Sequence, residues 1–127
     1  MIVADSDVLI DYLRGSDQAD RIALELRTGG LATTVISAFE LWAGARSAKQ
    51  SAAVETLLGA LTILPLTPSS AREAAEVRKE LEAKKASIGM ADSLIAGICL
   101  DHEAVLLTRN KRHFERVSGL RLSGSLV

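Results

Sequence analysis

Short apolar runs that alternate with helical segments are the feature that most constrains the fold of this chain. Residues 2–5, 31–35, 62–66 and 104–108 have the length and the aliphatic composition of buried strands. Helical segments lie between them, and residues 120–122 add a last short strand. This alternation predicts an α/β fold with a mostly parallel central sheet of four to five strands and helices on both faces.

Capping signals place the starts of several helices. Asp17 is the predicted N-cap of the second helix. Ser37 with Glu40, and Ser70 with Glu73, have the spacing of a capping box, in which two side chains satisfy the first free backbone amides of a helix. We predict helices over residues 7–14, 18–28, 37–46, 53–61, 69–85, 90–101 and 110–116.

The composition indicates one folded domain over residues 1–127. The chain is 48% apolar and 24% charged, which is typical of a protein with a packed core. Aromatic residues make up only 3%, so we expect an aliphatic core. The formal net charge of −1 lacks the basic excess of many nucleic-acid-binding proteins, so any contact with a polyanion must come from a local patch.

The expected compartment is the cytoplasm. The single cysteine, Cys99, cannot form an internal disulfide, which is typical of a reducing compartment. We interpret Cys99 as a packing residue on the apolar face of its helix. The opening residues MIVADSD lack the features of a signal peptide, and no apolar run approaches the roughly 18 residues needed to cross a bilayer.

Three acidic residues stand where apolar runs stop. Asp5 ends the first predicted strand, Glu40 follows the second by about one helical turn, and Asp92 begins an apolar helix. Asn110 follows the fourth strand. Because the carboxyl ends of parallel strands share one edge of a sheet, we predict that these four polar side chains converge there. Buried carboxylates need a cation, and a divalent metal ion that supports phosphodiester hydrolysis is the candidate.

Each acid also has an ordinary structural interpretation. Glu40 can complete a capping box with Ser37. Asp5 or Asp7 can N-cap the first helix, and Asp92 suits the positive end of a helix dipole. The functional hypothesis therefore depends on the joint pattern and not on any single acid. We expect four other acids to be solvated surface residues: Asp11, Asp17, Asp20 and Asp101.

The order and spacing of these residues resemble the motifs of the PIN domain family, and more narrowly those of VapC-type toxin ribonucleases of toxin–antitoxin pairs. The segment VADSDVLIDYLRG is similar to the first acidic motif, with Asp5 and Ser6, and VISAFELWAGA is similar to the second, with Glu40. The segment IGMADSLIAGICLDHEAVLLTRNKRHFERVSGL is similar to the third and fourth, with Asp92 and Asn110. The resemblance covers essentially the whole chain and implies a PIN-like three-layer α/β/α sandwich.

The resemblance implies a metal-dependent endoribonuclease. Asp5 and Asp92 would bind Mg²⁺, or Mn²⁺ as the alternative ion, most directly. Glu40 would bind the ion through water or position the nucleophile, and Asn110 would complete the group. Ser6 and Asp7 would support the metal ligands without binding the ion directly. Attack by water would leave a 5′-phosphate and a 3′-hydroxyl on the products.

Two positions depart from the family pattern. Many members carry an aspartate where this chain has Asn110, and many carry one where it has His113. A neutral amide can ligate a metal ion but contributes no charge, which weakens the case for a second, tightly held ion. We interpret His113 as a surface histidine beside Lys111 and Arg112.

Substrate and partner surfaces follow from the resemblance and from charge. A VapB-like antitoxin would insert a segment near the acidic site, and Tyr12, Leu13 and Trp42 are candidates for an apolar groove that receives its helix. We expect Phe39 and Leu41 to be core residues, and the resemblance implies a homodimer. RNA would follow a local basic strip, although ordinary surface charge also explains most of its members. The candidates for this strip are Arg14, Arg46, Lys49, Arg109, Lys111, Arg112 and Arg116.

Two other functions stay open at this point. Asp5-Ser6-Asp7 after a strand also fits the D-x-D motif of haloacid-dehalogenase-like phosphatases, with Asp5 as a covalent nucleophile and Asp7 as an acid or base. No downstream lysine motif or paired-acid motif supports that function. The second alternative is an inactive PIN-like module that binds RNA or protein, and Asn110 is the residue that favours it.

Overall fold

A parallel sheet forms the centre of the molecule in the computed structural model, which describes residues 1–16 and 19–123. Within these residues the strands are β1 (Ile2–Ala4), β2 (Leu31–Thr34), β3 (Thr62–Leu64), β4 (Val105–Leu107) and β5 (Arg121–Leu122). Their order across the sheet is β3-β2-β1-β4-β5, and every neighbouring pair is parallel. The predicted α/β fold with a parallel sheet of four to five strands is therefore confirmed.

The helices that connect the strands lie close to the predicted positions. None of those within the described residues is long and apolar enough to cross a membrane. Asp17, the predicted N-cap of the second helix, lies outside the described residues. The helices are α1 (Ser6–Arg14), α2 (Ala19–Thr28), α3 (Val35–Gly44), α4 (Ala48–Gly59), α5 (Pro68–Ala83), α6 (Met90–Asp101) and α7 (Lys111–Phe114).

The two faces of the sheet have separate apolar clusters. Val3 and Leu106 point to one face and pack with side chains of α5 and α6. Ala4 and Leu107, the next residues of the same strands, point to the other face and pack with side chains of α1 to α4. This alternation follows from the two-residue period of a strand. It produces the predicted α/β/α sandwich and buries the central strands on both sides.

The start of α3 differs from the prediction. The helix begins at Val35 and not at Ser37, because Thr34 is its N-cap and the Thr34 Oγ1 accepts a hydrogen bond from the Ser37 backbone amide at 3.0 Å. The predicted capping box of Ser37 with Glu40 is therefore wrong. Glu40 lies in the second turn of α3, where its carboxylate is not needed as a cap.

The starts of α5 and α4 are also earlier than predicted. The N-cap of α5 is Thr67, whose side chain accepts from the Ser70 amide at 3.1 Å while Ser70 Oγ accepts from the Thr67 amide at 2.8 Å. The predicted box of Ser70 with Glu73 is therefore wrong. α4 starts at Ala48 and not at residue 53, because Ser47 caps it by accepting from the Gln50 amide at 3.1 Å.

A close crossing fixes α6 against α5. A Cβ atom added to Gly97 would lie 2.6 Å from the Ala74 Cβ, the Ala74 backbone nitrogen and the Ser70 carbonyl oxygen, so only glycine fits there. Cys99, on the same helix, is fully buried, as its interpretation as a packing residue requires. This crossing sets the position of the N-terminus of α6, which carries Asp92.

Candidate active site

Asp5 lies at the carboxyl end of the central strand β1. Its backbone amide donates to the Leu107 carbonyl oxygen at 2.9 Å, so the ladder between β1 and β4 extends to this residue. Asp5 is also the N-cap of α1, because its Oδ1 accepts from the Ser6 amide at 2.8 Å. The residue is only 6% exposed. The capping interpretation of Asp5 is thus correct, but capping uses one oxygen of its carboxylate.

The other contacts of the Asp5 carboxylate come from distant parts of the chain. Thr108 Oγ1 donates to Asp5 Oδ2 at 2.8 Å, and Ser37 Oγ donates to Oδ1 at 3.4 Å. Burial is the largest influence on the Asp5 carboxyl and, with the negative charge of Asp7, raises its pKa from 3.8 to about 7. The hydrogen bonds from Thr108 and Ser6 lower the pKa, but they do not offset the loss of solvation.

Asp7 lies in the first turn of α1 and faces the loop after β4. Its Oδ2 accepts from the Arg109 amide at 3.0 Å and lies 3.3 Å from Thr108 Oγ1, whose proton has its shorter contact with Asp5. Its Oδ1 is buried and has no hydrogen-bond partner within residues 1–16 and 19–123. Burial raises the pKa of Asp7, against the opposing effect of the contacts with Arg109. The site therefore contains a desolvated carboxylate oxygen for which the described residues supply no hydrogen-bond donor.

Glu40 reaches the same edge of the sheet from α3. Ser6 Oγ donates to Glu40 Oε1 at 3.1 Å, and the Ser6 amide donates to Asp5, so one residue connects the two carboxylates. The early start of α3 explains this placement. Thr34 begins the helix directly after β2, and Glu40 follows in the second turn on the side of α1.

Asp92 enters from α6, in the first turn of that helix. Its Oδ2 lies 3.3 Å from Asn110 Nδ2 and 3.2 Å from His113 Nδ1, and the two nitrogens lie 2.9 Å apart. The negative charge of Asp92 also raises the pKa of Asp5, which places the two carboxylates within electrostatic reach. Asp92 thus combines its position at a helix N-terminus with contacts to the loop after β4.

The structure brings Asp5, Asp7, Glu40, Asp92 and Asn110 to the carboxyl edge of the sheet. Their roles in chemistry stay a prediction. We name two groups within this cluster by their surroundings. The inner group consists of Asp5, Asp7 and Thr108, and the outer group consists of Asp92, Asn110 and His113.

The residues of this cluster fit a hard divalent cation in their chemistry, although they do not form a closed cage. Within the described residues, no three histidine, cysteine, aspartate or glutamate side chains are grouped so as to hold a metal ion unaided. Mg²⁺ does not need such a cage, because it keeps several waters and takes phosphate oxygens as ligands. A bound cation would stabilise the ionised form of Asp5, whose pKa is raised, and would give Asp7 Oδ1 the partner that the described residues do not supply.

Contacts with these carboxylates are not predicted from the sequence for three residues: Thr108, Ser37 and His113. Thr108 is 1% exposed and contacts both Asp5 and Asp7, and Ser37 is fully buried against Asp5. The signal for Thr108 is its place between the last apolar residue of β4 and Asn110. The interpretation of His113 as a surface histidine is incomplete, because its ring contacts Asp92 and Asn110.

Arg109 contacts a buried acid instead of pointing freely into solvent. Its Nε lies 2.9 Å from Asp11 Oδ2. Asp11 is 4% exposed, so the prediction that it is a solvated surface residue is wrong. Arg116 donates to the carbonyl oxygens of Ala86 and Ser87, on the loop before α6. The other candidates for the basic strip are exposed except Lys111, which is half-buried: Arg14, Arg46, Lys49, Lys111 and Arg112.

The predicted apolar groove is only partly present. Tyr12 and Leu13 line an open cavity of about 420 Å³ between α1, α2 and α4, together with Leu26 and Leu57. Trp42 is not part of its lining. The indole Nε1 of Trp42 instead donates to Glu55 Oε1 at 2.7 Å.

The two expected core residues of α3 differ in burial. Leu41 is a core residue, as predicted, with 3% of its surface exposed. The same prediction for Phe39 is wrong, because 64% of its surface is exposed.

Comparison with known proteins finds relatives that match most of the chain. The PIN domain profile matches residues 2–120. The ribonuclease VapC10 of Mycobacterium tuberculosis is 35% identical over 122 residues, which cover 95% of this chain and 91% of that protein. The tRNA(fMet)-specific endonuclease VapC of Shigella flexneri is 26% identical over 121 residues, which cover 92% of each chain. The crystal structure of VapBC2 from Rickettsia felis, bound to a promoter DNA fragment, matches with a TM-score of 0.85 and 25% identity over 97% of this chain and 98% of that chain.

Proposed function

The chain belongs to the PIN domain family, and from this premise we propose that it is a metal-dependent endoribonuclease toxin with a VapB-like antitoxin as its partner. The proposal treats residues 1–127 as a single PIN domain that acts on RNA in the cytoplasm. The observation that carries it is the desolvated pair Asp5 and Asp7, at the edge of the sheet where Glu40 and Asp92 also lie. The buried Asp7 Oδ1 without a partner among the described residues supports a cation at this edge.

Each side chain has a distinct part in this proposal. Asp5 and Asp92 would hold Mg²⁺, or Mn²⁺ in its place, since both ions take oxygen ligands. When bound, the ion supplies activation of a water molecule and neutralises charge at the phosphate. Glu40, fixed by Ser6 Oγ at 3.1 Å, would accept a proton from the attacking water or orient it. Asn110 would hold the Asp92 carboxylate in place.

The carboxylates of the inner group have fewer hydrogen-bond donors than they could accept from, which would favour a bound cation. Thr108 has one hydroxyl proton and lies near both Asp5 and Asp7, so it cannot satisfy both carboxylates at once. Water is excluded from Asp5, which strengthens its attraction for a cation.

The rate of RNA cleavage by the purified protein tests the proposal. Asp5→Asn removes the central carboxylate but retains an N-cap, and we expect its cleavage rate to fall about 1,000-fold or more. Asp20→Asn is the matched control, because Asp20 is an exposed acid in the first turn of α2. Its rate should stay within about twofold of the wild type.

The chemistry of the product ends gives an independent criterion. Attack by water leaves a 5′-phosphate and a 3′-hydroxyl, whereas attack by the RNA 2′-hydroxyl leaves a 2′,3′-cyclic phosphate. A cyclic phosphate, or full activity after removal of divalent ions with EDTA, would exclude the proposed mechanism.

The exposed basic residues would bind the RNA backbone. Arg14, Arg46 and Arg112 lie on the surface and are not held by the carboxylates described above. Replacing one phosphate-binding arginine by alanine should reduce the slope of log affinity against log salt by about 0.7 for single-stranded RNA. Arg109 would contribute less, because Asp11 already holds its guanidinium group.

The cavity lined by Tyr12, Leu13, Leu26 and Leu57 would receive an apolar antitoxin segment. We expect Leu13→Asp to weaken the complex with a VapB-like antitoxin by about 10-fold or more, measured by calorimetry. Leu24→Asp is the matched control, since Leu24 is 48% exposed on α2 but does not line the cavity. Equal losses for both variants would argue against this site. The homodimer implied by the resemblance stays a prediction that sedimentation analysis can check.

The competing functions lose support from the family assignment. A haloacid-dehalogenase-like phosphatase would use Asp5 as a nucleophile, and nothing in the comparisons favours that class. An inactive binding module would retain toxicity and RNA binding in Asp5→Asn. The cleavage experiment therefore separates it from the enzyme.

A further inference from the structure

The outer group contains a nitrogen atom where a metal site of PIN type is expected to offer only oxygens. His113 Nδ1 lies 3.2 Å from Asp92 Oδ2. Asn110 Nδ2 lies 2.9 Å from the histidine nitrogen and 3.3 Å from the same carboxylate oxygen. The three polar atoms thus form a small triangle that faces the edge of the sheet.

The hydrogen-bonding roles in this triangle are constrained. The Asn110 amide nitrogen carries two hydrogens and can only donate. When it donates to both neighbours, His113 Nδ1 and Asp92 Oδ2 act as two acceptors that share one donor. Two acceptor atoms 3.2 Å apart also match the spacing of adjacent ligands around one ion, since metal bonds of about 2.1 Å at right angles separate such ligands by about 3 Å.

His113 is held in this position by the fold. It lies in α7, and the next residue, Phe114, is fully buried in the core. The backbone of the turn is closed by a hydrogen bond from the Glu115 amide to the Lys111 carbonyl oxygen at 2.8 Å. The side chains of His113 and Asp92 keep 41% and 23% of their surfaces exposed, which leaves access for a hydrated ion.

We propose that His113 is a metal-selecting residue, whose Nδ1 binds the same cation as Asp92 Oδ2 and gives the site a preference for Mn²⁺ over Mg²⁺. This inference rests on the proposed function, because it concerns the ion of the same site. An imidazole nitrogen is a weak partner for Mg²⁺, which demands oxygen ligands, and a better one for transition metals. Asn110 holds the two ligands together in the absence of the ion.

A different arrangement of the same atoms predicts the opposite effect. If both ring nitrogens of His113 carry a proton, Nδ1 donates to Asp92 Oδ2 and the charged ring forms an ion pair with the carboxylate. Such a pair competes with the cation for the carboxylate. Removing His113 would then strengthen the binding of Mn²⁺ and Mg²⁺ alike.

Binding of Mn²⁺ alone to the full chain, followed by electron paramagnetic resonance, distinguishes these arrangements without an activity assay. A directly bound histidine nitrogen gives a ¹⁴N modulation in the electron spin echo of Mn²⁺, so we expect this modulation in the wild-type protein. We expect His113→Asn to lose the modulation and to bind Mn²⁺ about 10-fold more weakly. Its affinity for Mg²⁺, measured by competition, should change by less than about twofold.

Two variants serve as controls. His102 is the other histidine of the chain and caps the opposite end of α6, so His102→Asn should keep both the modulation and the affinity for Mn²⁺. His113→Asp places a carboxylate there, and we expect it to bind both ions with little preference. Circular dichroism and thermal unfolding of each variant verify the fold, and the wild-type spectrum is informative by itself.

Several results would overturn the inference. Wild-type protein that binds Mn²⁺ and cleaves RNA but shows no ¹⁴N modulation would refute it and leave the proposed function intact. Equal losses of Mn²⁺ and Mg²⁺ affinity in His113→Asn would show that the histidine only positions Asp92. Stronger binding of both ions would support the competing ion pair. Wild-type protein that binds neither ion and cleaves no RNA would refute the proposed function as well.

Discussion

The inner and outer groups of the carboxylate cluster are neighbours, but they differ in how the fold holds them. In the inner group, Asp5 is 6% exposed and Thr108 is 1% exposed, and backbone amides or hydroxyls from separate segments of the chain contact the carboxylates. In the outer group, Asp92 keeps 23% of its side-chain surface and His113 keeps 41%. The side chains of the outer group contact one another, and they come from the first turn of α6 and from α7 with its N-cap residue.

The two groups therefore differ in the solvation of their carboxylates and in how easily their side chains can change partners. Asp5 is buried and Asp7 is partly buried, and this loss of solvation raises the pKa of both carboxyls and destabilises their ionised forms until a cation binds. The outer group remains solvated and can exchange a hydrogen bond for a metal ligand with little cost in desolvation. The inner group therefore supplies the attraction for the ion, and the outer group is suited to selecting it.

The largest expected difference between the groups is in the free energy of unfolding when Asp5 of the inner group or Asp92 of the outer group is replaced by asparagine. The pKa of Asp5 is raised from 3.8 to about 7, so the native state holds this proton more tightly than the unfolded state. The free energy of unfolding of the metal-free protein should then fall as the pH rises from about 4 to about 7, and Asp7 acts in the same direction. Asp5→Asn removes the ionisation, and we expect it to be more stable than the wild type by a few kcal/mol at pH 8 and similar at pH 4.

Urea unfolding in EDTA at several pH values measures this contrast. Asp92→Asn should change the free energy of unfolding by less than about 1 kcal/mol at each pH, because its carboxylate is partly solvated. Equal effects of the two variants would show that the inner and outer groups do not differ in electrostatic cost. Both variants should lose RNA cleavage, which makes stability and activity change in opposite directions for Asp5.

Thr108→Val tests the hydroxyl that connects the two groups. Thr108 Oγ1 donates to Asp5 at 2.8 Å and accepts from the Asn110 amide at 3.0 Å, so valine leaves a buried carboxylate and an amide without these contacts. We expect a loss of about 1–3 kcal/mol in stability and a clear decrease in cleavage rate. Thr108→Ser keeps the hydroxyl and should recover most of the activity.

A buried threonine away from the carboxylates provides the control for this prediction. Thr33 is fully buried in β2, and its Oγ1 donates to the Ala4 carbonyl oxygen at 2.7 Å. Thr33→Val should lower the free energy of unfolding by about 1 kcal/mol and leave the cleavage rate unchanged. A similar loss of activity in both variants would mean that Thr108 acts only through general stability.

Much of this architecture could be predicted from the sequence because it depends on local patterns. The buried strands are continuous aliphatic runs, and parallel strands place their carboxyl ends together, so the acids that follow them meet at one edge. That reasoning places Asp5 and Asp92 at the same edge without any knowledge of their contacts. The prediction depends only on the topology of the sheet, and the alternation of strands and helices in the sequence indicates that topology.

The errors concern interactions that local patterns do not contain. Asp11 is buried because Arg109, nearly a hundred residues later in the sequence, lies against it. Phe39 is exposed because Ala38 and Leu41 occupy the inward face of α3, and an aromatic residue between them points elsewhere. His113 has basic neighbours that suggest a surface role, although the turn that carries it faces Asp92.

The misplaced start of α3 leads to the smallest predicted effect. Thr34→Ala removes the N-cap bond to the Ser37 amide and should cost about 1 kcal/mol of stability. Thr67→Ala removes the equivalent bond to the Ser70 amide of α5 and should cost about the same. Only α3 carries Ser37 and Glu40 towards Asp5 and Ser6. We therefore expect RNA cleavage to decrease severalfold in Thr34→Ala and to remain unchanged in Thr67→Ala. Equal cleavage rates in the two variants, at equal stability, would mean that the first turn of α3 does not position Glu40.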